Sequence, residues 1–273
     1  MTSPKVSVLM PVYNGLPFLK ESIESILSQS FSDFEFIIID DGSGDDASRL
    51  INIYSAEDSR IKVFRNEVNM GIVFSLNRGL KECSGDYIVR MDADDIAMPD
   101  RLRKQVNWME SNPDICVSGG ALSYINAIGN DLNLVRYCDL GRKLSKCPLL
   151  HPTVIIRRGV LTRHGLCYLE KYRFAEDYFL WLQLSQFGKI SAIKDVVVKY
   201  RLNNQATKVK RLKSSLLATL KVKKDAVFIL NIKPSLRDAG MVLVELILLI
   251  LPARLVWQLY LMTTFKKGTK VIL

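Results

Sequence analysis

The five cysteines, Cys83, Cys116, Cys138, Cys147 and Cys167, are odd in number and scattered, and no two form a Cys-x-x-Cys pair. That excludes a zinc ribbon, argues against a disulfide framework and fits a reducing compartment. A Gly-x-Gly-x-x-Gly loop is missing as well. The first apolar run ends in Pro11-Val12-Tyr13-Asn14-Gly15 with a single glycine, which disfavours a dinucleotide-dependent dehydrogenase and a nucleotidyltransferase with a Gly-rich phosphate loop. No apolar run reaches the roughly 20 residues of a spanning helix. The strongest, Met241–Leu251, is interrupted by Glu245 and followed by Pro252 and Arg254. No signal peptide is expected, because Lys5 leads straight into the strand-like Val6-Ser7-Val8-Leu9-Met10. Internal repeats, low-complexity tracts, paired zinc ligands and an RNA-binding aromatic run are all absent, so no nucleic-acid partner is expected.

What is present is a chain of 273 residues, 48% hydrophobic, enough for one large domain with an appendage. The net charge of +10 is unevenly placed. Residues 1–200 hold 24 Lys and Arg against 25 Asp and Glu, whereas residues 201–273 hold 14 against 3. Such a basic quarter suggests an anionic partner surface, membrane or nucleic acid.

Short buried strands are expected at Val6–Met10, Phe34–Asp40, Ile61–Arg65 and Tyr87–Met91, with helices at Pro17–Gln29, Asp45–Tyr54 and Ile72–Cys83 between them. Asp45 or Asp46 is the expected cap of the second helix. This alternation implies an α/β fold with a doubly wound, mostly parallel, Rossmann-like sheet. Further strands are expected at Val117–Ile125, Val154–Arg157 and Val196–Arg201, and a helix at Tyr178–Phe187. Residues 1–205 read as one domain and 206–273 as a basic, apolar helical extension, with helices over Lys208–Leu230, Leu236–Leu251 and Ala253–Phe265. The extension reads as helices lying in a membrane interface, or else packed on the domain with a solvated basic face.

The polar clusters share one location. In a doubly wound sheet ligands bind beyond the carboxyl ends of the strands, and Tyr13-Asn14, Asp40-Asp41-Gly42-Ser43 and Asp92-Ala93-Asp94-Asp95 all fall at such ends. Three crowded carboxylates, Asp92, Asp94 and Asp95, repel one another unless a cation lies between them. Hard ions such as Mg²⁺ and Mn²⁺ favour oxygen ligands and share them with substrate phosphates. Asp40 and Asp41 can accept from a base N–H or a ribose hydroxyl, or simply cap a helix. Glu176-Asp177 opens a helix, where a carboxylate serves as a cap or as a general base. His151 precedes an apolar strand. Arg157-Arg158 and Arg201 read either as phosphate contacts or as surface charge.

In their order these motifs resemble the bacterial family 2 inverting glycosyltransferases of the GT-A fold, of the O-antigen or capsule type. The motifs are Pro-x-Tyr-Asn, Asp-Asp-Gly-Ser, Asp-Ala-Asp-Asp, His-Pro-Thr and Glu-Asp before an aromatic helix, over roughly residues 4–205. The resemblance implies a UDP-sugar donor contacted by Pro11, Tyr13, Asn14, Asp40, Asp41, Asp92, Ala93 and Asp94. It implies a Mn²⁺ or Mg²⁺ ion on Asp94 and Asp92, with Asp95 extending the motif, and Asp177 as catalytic base. Glu176, His151 and Arg201 are further candidates. The Gln-x-x-Arg-Trp motif of processive relatives is absent, which implies one sugar per encounter. Position 179 is Phe where many relatives carry an acid. Relatives often carry a His two residues beyond the Tyr-Arg pair, whereas here Tyr200-Arg201 is followed by Leu202-Asn203. The expected donor is UDP-glucose or UDP-galactose. The expected acceptor is a lipid-linked saccharide such as GlcNAc-diphosphoundecaprenol, met at the cytoplasmic face of the bacterial inner membrane by a peripheral enzyme.

Overall fold

The computed structural model describes residues 3–141, 144–202, 205–253, 255–256 and 258. Asn203 and most of the helix expected over Ala253–Phe265 lie outside them. In chain order the elements are β1 (Val6–Val12), α1 (Leu16–Leu27), β2 (Phe34–Asp40), α2 (Ala47–Glu57), β3 (Ile61–Arg65), α3 (Ile72–Glu82), β4 (Tyr87–Arg90) and β5 (Ile96–Ala97). There follow α4 (Arg101–Ser111), β6 (Ile115–Ile125), β7 (Asp131–Arg136), β8 (Ile155–Arg157), α5 (Arg158–His164), α6 (Glu176–Leu184), β9 (Lys189–Arg201), α7 (Gln205–Phe228) and α8 (Leu236–Ile250).

The strands form one sheet in the order β3-β2-β1-β4-β8-β6-β9-β5, with β7 also paired to β6. The first four strands are parallel, as their alternation with helices requires. The second half is mixed: β8 runs antiparallel to β4 and β6, while β6 and β9 are parallel. Register places Val12 beside Asp40 and Leu9 beside Arg90, so the carboxyl ends of β1, β2 and β4 share one edge.

Strand alternation divides the core into two layers. Val6, Val8 and Met10 pack with Leu19, Ile23 and Ile26 of α1 and Leu102 and Val106 of α4. Leu9, Ile37 and Ile39 face the other way, onto Val73 and Leu76 of α3 and Trp181 of α6. Each such side chain, buried fully, contributes about 1.5–3 kcal/mol.

The expected cap of α2 differs in detail. Asp46 is the cap residue but makes no side-chain capping bond. Asp45 instead accepts from the N–H groups of Ala47 and Leu16, tying the starts of α2 and α1 together.

The C-terminal helices are built onto the domain. Val222 and Ala226 of α7 are fully buried against Tyr172, Tyr178, Phe179 and Leu182. Glu245 of α8 pairs with Lys223 at 2.6 Å, and Lys223 also donates to the Ser145 carbonyl. The acid that interrupts the apolar run is therefore turned inward. Leu236, Leu243, Ile247 and Ile250 face outward. Among the described residues no helix is long and apolar enough to cross a membrane.

Candidate active site

A cleft of about 700 Å³ opens at the shared strand edge. Pro11, Tyr13, Asn14, Asp41, Asp92, Ala93, Asp94 and Glu176 all line it. Residues up to 165 positions apart in sequence thus meet in one place, because β1, β2 and β4 end there and α6 begins there.

One end of the cleft is organised around Asp41. The residue is buried, and its carboxylate accepts from Asn66 Nδ2 at 2.6 Å and from the N–H groups of Met70 and Gly71, both at 2.9 Å. A carboxylate has about four acceptor positions, so this framework orients the group and leaves capacity for a ligand donor. Asn14 has φ of 49° and accepts from the Gly44 N–H at 2.8 Å, which joins the loop after β1 to the loop after β2. Gly42 makes the turn between them at φ of 70°. Tyr13, beside them, is exposed.

Asp40 does not reach the cleft. Consecutive residues at the end of a strand point to opposite faces. Asp40 therefore turns back to accept from the Ser43 N–H at 2.9 Å and from the Ser48 hydroxyl, with Arg65 at 3.7 Å. Its placement is that of a loop cap, and this corrects the expectation that it contacts the donor.

At the other end Asp92, Asp94 and Asp95 bring one carboxylate oxygen each to within 4.8 Å of one another. Asp95 is fully buried; its Oδ1 accepts from the Arg201 N–H at 2.9 Å, and its Oδ2 has no partner among the described residues. Burial and the charges of Asp92 and Asp94 push its carboxyl well above the ordinary range. An orphaned, buried acceptor beside two further carboxylates fits a hard divalent cation. The loop is held from below by Ser22, whose hydroxyl lies 2.9 and 2.6 Å from the carbonyls of Ala93 and Asp95.

Arg90 was not foreseen among the candidates. It is the last residue of β4, its side chain is 7% exposed, it lines the cleft and it pairs with Asp92. Its Nε has no partner among the described residues. The available signal was a lone arginine in the buried run Tyr87–Met91, since a buried charge needs a counter-charge nearby. Arg90 also acts on the acidic pair at the start of α6. Burial and then the charge of Asp177 push Glu176 up to about 7, and Arg90 opposes that rise. Asp177 is likewise raised by burial, opposed by the Tyr178 N–H and Arg90. Glu176 lines the cleft and its Oε2 is unpartnered among the described residues. Asp177 stands one residue behind, its Oδ2 lying 3.8 Å from Cys147 Sγ.

Two other candidates support the site from outside it. His151 shares a hydrogen bond of 3.0 Å with the Tyr168 hydroxyl and meets Trp181 edge-on. Burial, with Arg90 nearby, drives its pKa well below the usual value, so the ring is neutral. Arg201 is 2% exposed, and its guanidinium reaches Glu21 and the carbonyls of Asp94, Asn126 and Ala127. It is a clamp on the aspartate loop, which replaces the reading of Arg201 as a phosphate contact. Arg157 and Arg158 also bond backbone carbonyls away from the cleft. Arg173, Phe174 and Arg211 complete the cleft wall and carried no recognisable motif.

Known proteins resemble this chain in sequence and in fold. The family model described as "Glycosyl transferase family 2" matches residues 7–168. An uncharacterized glycosyltransferase of Haemophilus influenzae is 35% identical over 219 residues, 75% of this chain and 67% of that one. The putative glycosyltransferase EpsE of Bacillus subtilis is 35% identical over 212 residues, 76% of each chain. Among solved structures, S. aureus TarS 1-349 in complex with UDP superposes with a TM-score of 0.65 at 20% identity, covering 89% of this chain and 70% of that one. The mannosyltransferase PcManGT from Pyrobaculum calidifontis, in complex with GDP-Man and Mn²⁺, gives 0.61 at 18% identity, covering 97% and 86%. These structural likenesses show the GT-A fold.

Proposed function

The chain belongs to glycosyl transferase family 2, and from that premise we propose that it moves one hexose from a UDP-sugar to a hydroxyl of a lipid-linked saccharide, with inversion at the anomeric carbon. The observation that carries this reading is the convergence of Asp41, Asp92, Asp94 and Glu176, with Asp177 adjacent, on one cleft. Asp41 receives the base N–H, and Tyr13 and Asn14 flank it. A Mn²⁺ or Mg²⁺ ion held by Asp94 and Asp92 would neutralise charge on the departing diphosphate.

Asp177 takes the proton of the acceptor hydroxyl as that oxygen forms its bond to the anomeric carbon. The bond from that carbon to the diphosphate oxygen breaks with its electron pair, and UDP leaves. An α-linked donor gives a β product. Burial and then the neighbouring charge of Asp177 push Glu176 up to about 7, so it titrates near neutrality beside the base. UDP-glucose or UDP-galactose remains the proposed donor, GlcNAc-diphosphoundecaprenol the proposed acceptor, and O-antigen or capsule synthesis the proposed setting.

The location proposed is the cytoplasmic face of a bacterial inner membrane, held peripherally. Support comes from α8, whose outer face carries Leu243, Ile247 and Ile250 at 60, 50 and 84% exposure, and from the 14 Lys and Arg of the last 73 residues. Apolar contact combined with basic charge suits an anionic bilayer surface. Replacing those three residues by serine is expected to release the protein from anionic vesicles.

The deciding experiment screens labelled UDP-sugars against synthetic lipid-diphosphate saccharides, with and without Mn²⁺, and reads the anomeric configuration of the product. Transfer with inversion is expected. An α product from an α donor would overturn the mechanism. Salt-sensitive retention on DNA with no turnover of any sugar nucleotide would favour the nucleic-acid alternative.

A further inference from the structure

The donor reading above leaves part of the cleft lining without a role. Asp41, Asp92 and Asp94 make the donor side acidic. Arg173, Phe174 and Arg211 line the same cleft, the first two from the segment just before α6 and the third from α7, with the Arg173 guanidinium close to Gly71. Phe174 is held at φ of 77°, a region a bulky residue rarely occupies and one that costs of order 1–3 kcal/mol unless the surroundings impose it. Here they do. The Ser215 hydroxyl of α7 donates to the Phe174 carbonyl at 3.2 Å, and the guanidinium carbons of Arg173 and Arg211 lie 5.4 and 5.8 Å from the ring centroid. The ring stays 38% exposed. It is an aromatic face between two cations, two residues before Glu176 and three before the proposed base.

We propose that Phe174, Arg173 and Arg211 form the acceptor subsite, which takes a saccharide carrying a phosphate or diphosphate. The inference rests on the glycosyl-transfer reading above. The acceptor hydroxyl must reach Asp177, so its sugar ring has to lie beside the start of α6, where Phe174 offers an apolar face to the C–H side of a pyranose. An anionic group attached to that sugar would be repelled by the carboxylates of the cleft. The two guanidiniums supply the compensating charge and the paired donors that match phosphate oxygens. On the glycosyl-transfer reading the donor's own diphosphate goes to the aspartate loop, and the ion pair of Arg173 with Glu170, 3.8 Å apart and exposed to solvent, leaves its charge accessible to a second anion.

The test measures binding to the full-length protein saturated with UDP and Mn²⁺, which fills the donor site. The probes are an alkyl N-acetylglucosamine diphosphate, the matching alkyl glycoside without phosphate, and inorganic diphosphate. The phosphorylated saccharide is expected to bind about 10- to 100-fold tighter than the glycoside. Arg173→Gln with Arg211→Gln should erase that preference. Phe174→Ala should weaken both saccharides, and all variants should keep wild-type UDP affinity and melting temperature. Equal affinity for the two saccharides, or unchanged preference in the double variant, overturns the subsite. Loss of UDP affinity in the arginine variants overturns it too, because it places the cations on the donor. Inorganic diphosphate binding as tightly as the phosphorylated saccharide would reduce the site to a simple anion hole without saccharide recognition. Failure of the wild-type protein to bind UDP at all would instead sink the underlying reading.

Discussion

Arg201 and Asp95 are joined across 106 positions of sequence by a hydrogen bond of 2.9 Å, from the backbone N–H of the first to Oδ1 of the second. Pairing of β5 with the end of β9 sets this contact, with Ile96 opposite Lys199 and Ala97 opposite Val198. The side chain of Arg201 then ties Glu21 of α1 and the Asp94 carbonyl into the same knot. Arg201→Met removes the guanidinium and leaves the backbone bond. Glu21 stays half in solvent, so the loss should be modest, about 2 kcal/mol by chemical denaturation. Metal-dependent UDP binding should weaken as Asp94 loses its anchor. Intact UDP affinity would show that the loop holds without the clamp.

The acidic pair sets the pH dependence. With Glu176 pushed up to about 7 from 4.5, it gives up its proton near neutrality, and transfer should rise with pH through that range. Stability runs the other way. The folded protein holds this proton more tightly than the unfolded chain, so the pair's contribution is most favourable in acid and is lost as pH rises from about 4.5 through about 7. Glu176→Gln should move the activity limb to lower pH, since the charge that opposes ionisation of Asp177 is gone. Asp177→Asn should lower kcat by about 10²–10⁴-fold with UDP binding kept. If the two variants exchange these behaviours, Glu176 is the base.

Asp94→Ala should differ from both by reducing metal-dependent UDP affinity. Titration of UDP with and without Mn²⁺ separates the roles, and an Asp94→Ala protein whose UDP affinity still responds to Mn²⁺ would remove Asp94 from the metal site.

Gly42 has no room for a side chain. A Cβ there would lie 2.6 Å from the Val68 carbonyl carbon and 2.8 Å from the Asn69 nitrogen, at a φ of 70°. Gly42→Ala should cost about 1–3 kcal/mol and weaken UDP binding, because the displaced segment carries the N–H groups that orient Asp41. A melting temperature and UDP affinity equal to wild type would contradict this.

Lys223 and Glu245 are both nearly buried, so removing one partner leaves the other charge stranded. Glu245→Ala should destabilise by about 3–5 kcal/mol, while replacing both residues with apolar ones of similar volume should restore most of the loss. A double-mutant cycle measures the difference.

The parallel half of the fold was readable because each of its strands is an apolar run that stops at polar residues, and residues at the stops of β1, β2 and β4 line the cleft. Tyr13, Asp41 and Asp94, which line the cleft, stand just beyond such stops. β5 was not readable: two residues have no periodicity, and only the end of β9 makes them a strand. Nor was β7, an edge strand whose residues 131–136 are exposed or half-buried throughout. Adjacent Asp40 and Asp41 look equivalent in sequence, and only the pleat separates a loop cap from a cleft residue. Arg201 reads in the sequence as a phosphate contact or a surface charge, because its acceptors, backbone carbonyls and the distant Glu21, leave no mark there. The conformation of Phe174 is equally silent, being imposed by α7.

The buried contact of α7 with α6 has a consequence for synthesis. The aspartates emerge from the ribosome early, yet the wall opposite them is anchored through Ser215, Val222 and Ala226. A nascent chain halted at the end of the sheet would carry every carboxylate of the cleft and still lack Arg211 and the Ser215 support of Phe174. The helices that follow the sheet supply both Arg211 of the cleft and the greasy outer face of α8, so lining and exterior leave the ribosome together, after the carboxylates.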